Sequence, residues 1–356
     1  MDQTAAVLRN EIDAGTWRDW LPSERFLCEQ WQVSRNTLRA ALSQLRQEGS
    51  LRSVHGVGTK ISRGKARQRR VPASREVALL IPDPLDQVRP AQALWIDELR
   101  GMLNERNCRL HVLHGHQYFR NNPGAALRKL TSQNPHGCWV VALSNHAVQR
   151  WFEKSALPCI VAGSTYEGVK LPFRDIDHWA LCHHAAGALL GRGHRRVALL
   201  MQKSKRAGDL RSEEGFMAGV AQSPHPDAKV TLGYHESTVA SISRTLRRLL
   251  ANKPPPTALL VINPFHFLTV VSQLKQMGYQ IPGDISVISR DDDTFLTFLV
   301  PTPARYVVSS HQFAKSLLRP VLELLKTGGV VRHSSQIMPE FSPGGTLARA
   351  KNERTG

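Results

Sequence analysis

The sequence has little cysteine and lacks long apolar runs. Its five cysteines are scattered over 356 residues without a C-x-x-C pair, which excludes a disulfide-rich scaffold and indicates reduced, mostly buried thiols. No apolar run reaches the roughly 18 residues that span a bilayer. The first residues contain no basic stretch followed by an apolar core, so no secretory signal is expected. These absences predict a cytoplasmic protein without a membrane partner.

Acidic residues are fewer than basic ones, and one stretch of the chain contains none. The chain carries 47 lysines and arginines against 29 aspartates and glutamates, which gives a formal net charge of +18. Residues 1–48 are almost balanced, with six basic and seven acidic side chains, whereas residues 49–75 hold eight basic side chains and no acid. Such a stretch favours a polyanionic partner such as nucleic acid. A solvated basic linker is the alternative.

The first sixty residues have the pattern of a helix-turn-helix followed by a β-hairpin. One helix is predicted from Thr4 to Ala14 and a second from Pro22 to Trp31, and a third begins after Ser34 as its N-cap. Two short β-like runs around a Gly-rich turn, within residues 51–61, predict a wing behind the third helix. Apolar residues at helical spacing give that helix a core-facing side: Leu38, Ala41, Leu42 and Leu45.

The other side of the third helix carries groups that suit DNA recognition. Arg35, Asn36 and Arg39 follow its N-terminus, which is the part of a recognition helix that meets base edges in the major groove. Arginine can pair bidentately with guanine, and asparagine can read adenine. Backbone amides at the helix N-terminus and at the wing glycines can approach phosphates. The segment therefore predicts sequence-specific DNA binding.

This segment resembles the winged helix-turn-helix domain of GntR-type bacterial transcription regulators. The resemblance rests on residues spread over the whole segment: Leu21–Arg25, Val33–Leu42, Leu45, Glu48, Gly49, His55, Gly56, Gly58 and Thr59. It implies a DNA-binding domain over residues 1–62. The positions implied to contact DNA are Arg25, Ser34, Arg35, Asn36, Thr37, Arg39, His55 and Gly56. For Arg25 and Arg39, a surface salt bridge to Glu24, Glu29 or Glu48 is the alternative.

After a basic linker at residues 63–75, the pattern changes to alternating strands and helices. Short apolar runs recur between helical segments from Val77 to Ile288. This alternation predicts an α/β fold with parallel sheets. Because the alternation restarts near Trp179, we expect two similar lobes with a cleft between them.

Residues 76–348 resemble the effector-binding domain of LacI-type regulators, which is similar to periplasmic sugar-binding proteins. The resemblance rests on Asp177 followed by a helix and on five runs: Gly193–Leu200, Glu214–Ala218, Ala258–Asn263, Gly278–Asp292 and Met338–Thr346. It implies a two-lobed periplasmic-binding-protein-like domain whose chain crosses between the lobes three times, near Arg174, Pro301 and Gly329. It also implies three partners, namely operator DNA, a small carbohydrate effector and a second copy of the chain in a homodimer.

Candidate ligand contacts follow the predicted strands, because small-molecule sites of α/β sheets lie at the carboxyl ends of strands. Asp83, Ser144, Asn145, Asn263 and Asp291 hold such positions. The resemblance places Asn263 and Asp291 at ligand positions of the family. For residues 291–293, a helix-capping acidic turn is the alternative.

One family position is altered in this sequence. The arginine that the family carries before its Gly-Phe motif has no counterpart in register, where Ser212 stands. We assign the ligand role to Arg211, one residue earlier. Pro264 also replaces a polar residue that often follows Asn263 in the family, so we expect an inducer that differs from the family's better-known sugars.

No pattern for catalysis or for a cofactor is present. His111, His114 and His116 lie on a strand and a turn, without cysteines spaced to complete a metal site. Dinucleotide, phosphate-loop and hydrolase motifs are missing. We therefore expect no metal, no cofactor and no enzymatic activity. The expected function is DNA-binding transcription regulation, with repression, modulated by a sugar. A solute-binding protein and an α/β enzyme with a DNA-binding appendage are the alternatives.

Overall fold

In the computed structural model the chain forms two compact units, Met1–Pro72 and Ala73–Gly356. The predicted DNA contacts His55 and Gly56 lie outside the residues that the structure describes, as do Gly49 and most of the linker. The described residues are 2–13, 16–17, 19–47, 51–54, 58–61, 75–329 and 334–351.

The first unit has the predicted helix-turn-helix and hairpin. Its described elements are α1 (Asp2–Asp13), α2 (Glu24–Trp31), α3 (Arg35–Gln47) and the antiparallel strands β1 (Leu51–Val54) and β2 (Gly58–Ile61). Helix α2 begins after Ser23, whose hydroxyl accepts a hydrogen bond from the Phe26 amide, and Ser34 caps α3 through the Thr37 amide. The core of the unit is apolar: Leu8, Leu27, Leu38, Leu42, Leu45, Leu51 and Ile61.

The second unit alternates strands and helices along its whole length. Its first part comprises β3 (Glu76–Ile81), α4 (Pro90–Asn104), β4 (Arg109–His114), α5 (Gly124–Gln133), β5 (Cys138–Ala142), α6 (His146–Ser155), β6 (Cys159–Ala162) and β7 (Phe173–Ile176). Its second part comprises α7 (His178–Leu190), β8 (Arg196–Gln202), α8 (Ala207–Ala221), β9 (Lys229–His235), α9 (Val239–Leu250), β10 (Ala258–Val261), α10 (Pro264–Gln276), β11 (Ser286–Ser289) and β12 (Ala304–Val307). It ends with α11 (Ser310–Thr327), β13 (Ser335–Ile337) and β14 (Glu340–Ser342).

These elements form two lobes, each built on a six-stranded sheet. The strand order is β13-β7-β6-β5-β3-β4 in the first lobe and β14-β12-β11-β10-β8-β9 in the second. All neighbouring strands are parallel except the antiparallel edge pair of β12 and β14. Central strands are buried and have helices on both faces, as parallel sheets require. The predicted two-lobed α/β fold is confirmed. No helix in the described ranges is long and apolar enough to cross a bilayer.

The chain crosses between the lobes three times. The first crossing lies where it was expected, and the second and third lie later in the sequence than expected. The first crossing directly follows β7, which contains the expected position, Arg174. The second lies near Val308 and not near Pro301, because the chain first adds β12 to the sheet of the second lobe. The third lies near Pro339 and not near Gly329, because β13 still pairs with β7 of the first lobe.

Helix α11 is absent from the elements that the sequence pattern predicts. Its interior contains Pro320, which removes a backbone donor and normally argues against a helix. In the structure Pro320 is buried, and its neighbours Leu317 and Val321 join the core that includes α4. Gly328, at φ +62°, ends the helix in the left-handed region that favours glycine. Tertiary packing therefore outweighs the local signal here.

Helices α7 and α8 lie close together because two glycines of α8 face the backbone of α7. A Cβ atom on Gly215 would stand 2.2 Å from the carbonyl oxygen of Trp179, and one on Gly219 would stand 2.7 Å from that of His183. By contrast, a Cβ atom on Gly187 of α7 would meet no atom within 4 Å. The position of α8 against the second sheet therefore depends on this contact.

We expect Gly215→Ala to lower the free energy of unfolding by about 1–3 kcal/mol or more, because a backbone carbonyl occupies the space of the added methyl group. Gly187→Ala is the matched control, since it makes the same change in the partner helix where space is open. It is expected to raise stability by about 0.5–1 kcal/mol through the better helix propensity of alanine. Thermal unfolding measures both variants, and equal shifts would contradict the close approach.

Candidate functional site

In the first unit, the predicted recognition helix α3 exposes the side that was expected to meet DNA. Arg35, Asn36 and Arg39 are exposed. Ser34 Oγ lies 3.1 Å from the Thr37 amide and 2.8 Å from Thr37 Oγ1, so its hydroxyl serves the helix N-terminus. The predicted residues thus lie together on the first turns of one helix.

Two of the predicted DNA-contacting arginines form ion pairs within the unit. Arg25 Nε lies 3.0 Å from Glu29 Oε1, and Arg39 Nε lies 2.9 Å from Glu24 Oε2. These are the surface salt bridges that the sequence left open as the alternative. Exposed pairs of this kind contribute only about 0–1 kcal/mol, so a phosphate or base can replace the carboxylate at little cost.

In the second unit, a cleft with a cavity volume of about 660 Å³ lies between the two lobes. That volume is in the range of small-molecule sites. Helices α8 and α10 start at its edge, and their first turns contribute Ala207 and His266 to the lining. Polar residues at the carboxyl ends of strands, or within two residues after them, also line the cleft: Asp83, Ser144, Ser164, Gln202, Asn263 and Asp291.

Four of the ligand residues named from the sequence line this cleft, and two do not. Asp83, Ser144, Asn263 and Asp291 belong to its lining, as the rule about strand ends predicted. Asn145 lies outside the lining, because its side chain caps α6 through the Val148 amide and donates to the Phe119 carbonyl.

Arg211 also lies away from the cleft. Its guanidinium is more than half exposed and pairs with Glu214 at 3.1 Å on the outer side of α8. The next residue, Ser212, is fully buried. Successive helix residues point about 100° apart, so a shift of one position moves a side chain off the wall of the cleft. The assignment of Arg211 to the cleft is therefore corrected.

A different arginine, Arg290 directly after β11, reaches Ser212. Its side chain is 7% exposed. Arg290 Nη1 lies 2.8 Å from Ser212 Oγ and 3.1 Å from Asp209 Oδ1. Nε and Nη2 bind the two carboxylate oxygens of Asp291 at 2.8 and 3.0 Å. A guanidinium from the sheet thus reaches the residue that stands in register with the family's arginine.

The three aspartates at 291–293 have different partners and different roles. Asp293 accepts a hydrogen bond from the Thr294 amide and caps a short 3-10 helix, as the capping alternative proposed. Asp292 pairs with Arg305 at 2.7 Å. Asp291 faces the cleft. Burial alone would raise the pKa of Asp291, but Arg290 and Arg89 hold that pKa well below its ordinary value.

An ion pair joins the two lobes across the cleft. Arg89, which precedes α4 in the first lobe, places Nη1 2.8 Å from Asp291 Oδ2 in the second lobe. Gly208 of the second lobe also approaches the first lobe, because a Cβ atom there would stand 3.5 Å from Ser164 Oγ. The lobes therefore approach each other at two places along the cavity lining.

The first lobe contributes a network of hydrogen-bonded polar groups. Gln149 Nε2 donates to Ser144 Oγ at 2.9 Å and to the Ser164 carbonyl at 3.0 Å. The Ser164 hydroxyl in turn bonds to Asp175, whose other carboxylate oxygen lies 3.6 Å from His178 Nε2. These groups fix the orientation of donors and acceptors on this wall.

The second lobe contributes an imidazole that sequence reasoning missed. His266 lines the cleft, and its Nδ1 is buried without a hydrogen-bond partner among the described residues. Its ring packs edge-on against His235 at a centroid distance of 4.7 Å. Burial, followed by the neighbouring His235 and Arg89, lowers the pKa of His266 to about 4, so the ring is neutral. The sequence did contain a signal for His266, because it lies in the first turn of the helix that follows Asn263.

An aromatic pair completes the lining. Trp95 faces the cleft and meets Phe313 edge-on at 5.3 Å. An indole face beside fixed amide, hydroxyl, carboxylate and guanidinium groups suits a small molecule that has apolar ring faces and several hydroxyls. Among the described residues, no group of three or more histidine, cysteine or acidic side chains could hold a metal ion.

Comparison with known proteins finds a matching protein family for each of the two units. Residues 1–61 match the family of bacterial regulatory proteins, gntR family, and residues 186–347 match the periplasmic binding protein-like domain. The HTH-type transcriptional regulator AglR of Rhizobium meliloti is 26% identical over 204 residues, which are 53% of this chain and 57% of that protein. The arabinose metabolism transcriptional repressor of Geobacillus stearothermophilus is 24% identical over 295 residues, 78% of this chain and 77% of that protein.

Among solved structures, a LacI family transcriptional regulator from Enterococcus faecium with bound ribose matches with a TM-score of 0.63. It is 18% identical, and the match covers 78% of this chain and all of that one, which establishes the shared fold. The chain thus combines a helix-turn-helix domain of the gntR type at residues 1–61 with a periplasmic binding protein-like domain, matched over residues 186–347, and its second unit has the fold of LacI-family regulators.

Proposed function

We propose that the protein is a transcriptional repressor whose binding to operator DNA is modulated by a small carbohydrate in the cleft of its second unit. The carrying observation is the combination of an exposed recognition helix in one unit with a polar, ring-sized cleft between two lobes in the other. Because its partner is chromosomal DNA, it acts in the cytoplasm. The first unit argues against a solute-binding protein, because solute transport does not require a DNA-binding domain. An α/β enzyme would require a group of catalytic residues in the cleft.

The DNA contacts proposed for the first unit are Arg25, Ser34, Arg35, Asn36, Thr37, Arg39, His55 and Gly56. We expect Arg35→Ala and Arg39→Ala each to weaken binding to the chain's own upstream region by about 1–3 kcal/mol, because each removes a base or phosphate contact. Arg211→Ala is the control, since it removes the same charge from an exposed pair in the second unit. Mobility-shift titrations at one fixed salt concentration compare them. If both Arg35→Ala and Arg39→Ala bound the DNA with wild-type affinity, the assignment of α3 as the recognition helix would be contradicted.

The proposed effector is a sugar. One relative is named for arabinose metabolism, and one structural neighbour holds ribose. In the second unit of this chain, the cleft offers fixed donors and acceptors beside the Trp95 ring. By binding between the lobes, the sugar would stabilise one lobe arrangement and so change the affinity of the dimer for its operator.

A panel of free pentoses, hexoses and disaccharides tests this proposal. At least one sugar is expected both to raise the melting temperature of the full chain, by mass action, and to change its mobility shift on operator DNA. Glycerol at the same concentration is the control for a general polyol effect. A sugar that stabilises the protein without any effect on operator binding would contradict regulation through the cleft.

The homodimer is proposed to form through an apolar patch on the second lobe. The exposed side of α10 carries Phe265 and Leu268, and the neighbouring segment carries Phe298 and Val300, which are 85% and 84% exposed. Phe265 packs against Phe295, and the Lys275 ammonium donates to the Val300 carbonyl, so helix and segment form one surface. Solvent-exposed apolar side chains in such a group favour a protein partner, and a second copy brings two recognition helices to paired half-sites.

We expect Phe298→Glu to shift the protein from dimer to monomer in sedimentation velocity, because it buries a charge in the apolar contact. Val239→Glu is the matched control, since Val239 is 64% exposed in the same lobe at the start of α9. The control should remain dimeric. A dimer of unchanged strength in Phe298→Glu would place the interface elsewhere.

A further inference from the structure

The second lobe has a basic face at the end opposite the cleft. Its parallel strands β8–β11 point their carboxyl ends at the cleft, so their first residues lie at the other end, together with the last turns of helices α7–α10 that lead into them. Among the described residues, two carboxylates belong to this end, those of Asp227 and Asp284. Nine basic side chains belong to the same end and define the basic face: Arg192, Arg195, Arg196, Lys229, Arg247, Arg248, Lys253, Arg349 and Lys351.

Backbone pairing joins the segments of the basic face into one surface. Arg196 at the start of β8 is the register partner of Lys229 at the start of β9. The Thr257 amide, just before β10, donates to the Arg196 carbonyl at 2.9 Å. The Ala350 amide, near the end of the chain, donates to the Arg192 carbonyl at 2.8 Å. Basic residues from four distant parts of the sequence are therefore held side by side.

Local structural roles account for part of this charge and do not neutralise it. Arg192 Nη1 donates to the Ala188 carbonyl at 2.9 Å, and Arg195 Nη1 donates to the Leu190 carbonyl at 3.0 Å, both in the last turn of α7. The C-termini of the four helices carry roughly half a negative charge each, about two charges in total. With the two carboxylates, these helix ends offset roughly four of the nine positive charges. The basic face keeps a clear positive excess.

The groups that this face presents suit phosphates better than bases. Helices end here, so their terminal backbone groups are carbonyl oxygens and not the amides that a helix N-terminus offers. The donors are therefore long side chains, and six of the nine are exposed: Lys229, Arg247, Arg248, Lys253, Arg349 and Lys351. Contacts of lysine and arginine to phosphates position a protein on DNA and carry no sequence information.

We propose that the basic face binds the phosphate backbone of duplex DNA without sequence preference, as a DNA-binding surface additional to α3. The choice of DNA over other polyanions rests on the proposed function, because a protein held at its operator meets DNA phosphates at a high local concentration. The cleft, its ligand and base recognition take no part in this contact. A protein bound to a short operator duplex is therefore expected to hold a second duplex.

The test reverses three exposed charges of the basic face in the full chain: Lys229→Glu, Arg248→Glu and Lys253→Glu. This face variant is titrated with non-operator DNA in a background that also carries Arg35→Ala and Arg39→Ala, which weaken base recognition. The slope of log K against log salt should become shallower by about three, since each phosphate contact contributes about 0.9. At about 50 mM salt, the affinity should fall at least tenfold.

A control variant carries the same total change of charge on the first lobe, in the same background. It replaces three exposed basic side chains there: Arg120→Glu, Lys129→Glu and Lys154→Glu. Its salt slope should stay within about one of that of the background, because these side chains lie outside the basic face. Thermal unfolding shows whether each variant is folded. If the face variant is not, glutamine at the same three positions decides the proposal.

A capture experiment tests whether both DNA surfaces act at once. The chain with intact α3 is bound to an immobilised short operator duplex, which is first located by footprinting on the chain's own upstream region. A labelled duplex without the operator sequence is then added. The wild type and the control variant should retain this duplex, and the face variant should lose it.

Three results would overturn the proposal: absence of capture by the wild type, equal capture by the face and control variants, and equal salt slopes of these two variants. Polyglutamate that displaces the labelled duplex at a lower charge concentration than unlabelled duplex does would also overturn it, and would indicate an acidic protein as the partner. Failure of the proposed function gives a different result, namely a wild-type protein that prefers no part of its upstream region. The salt slopes on non-operator DNA still decide the basic face in that case.

Discussion

The effector cleft is organised around one buried guanidinium, that of Arg290. A charge with so little exposure is tolerated only when it is paired and fully hydrogen-bonded. Arg290 meets this demand with Asp209 and Ser212 from α8 and with Asp291 beside it. It therefore fixes the first turn of α8 relative to the edge of the sheet. The glycines of α8 in turn let this helix lie close to α7.

The sequence allowed much of the fold to be predicted because strands buried on both faces appear as short apolar runs. The run at 159–162 is such a strand, with all four residues buried. Helix α11 escaped prediction because its proline contradicts the local signal and only burial against α4 explains it. For the site as well, some residues could be predicted from the sequence and others could not. Strand ends located Asp83 and Asp291, whereas Arg89 reaches Asp291 from a position 202 residues away in the sequence.

Arg211 shows why a motif position does not settle a side-chain role. Counting back from the Gly-Phe motif gives Ser212 in register, and a neighbouring arginine looks like a replacement displaced by one residue. In a helix that displacement turns the side chain to another face, and in the structure the guanidinium that bonds Ser212 is that of Arg290, directly after β11. This contact joins residues that are 78 positions apart in the sequence, and no rule applied to a single sequence detects it.

The ion pair between Arg89 and Asp291 has a consequence for how a ligand could control this protein. It joins the lobes while the cavity between them is still about 660 Å³. A ligand shifts an equilibrium only by its difference in affinity for the two states. A molecule that merely occupied the cavity and left this bond intact would favour an arrangement that the protein already adopts. Control then depends on whether the incoming hydroxyls reinforce the bond or compete for Asp291, so two sugars of equal affinity could act in opposite directions on the same operator.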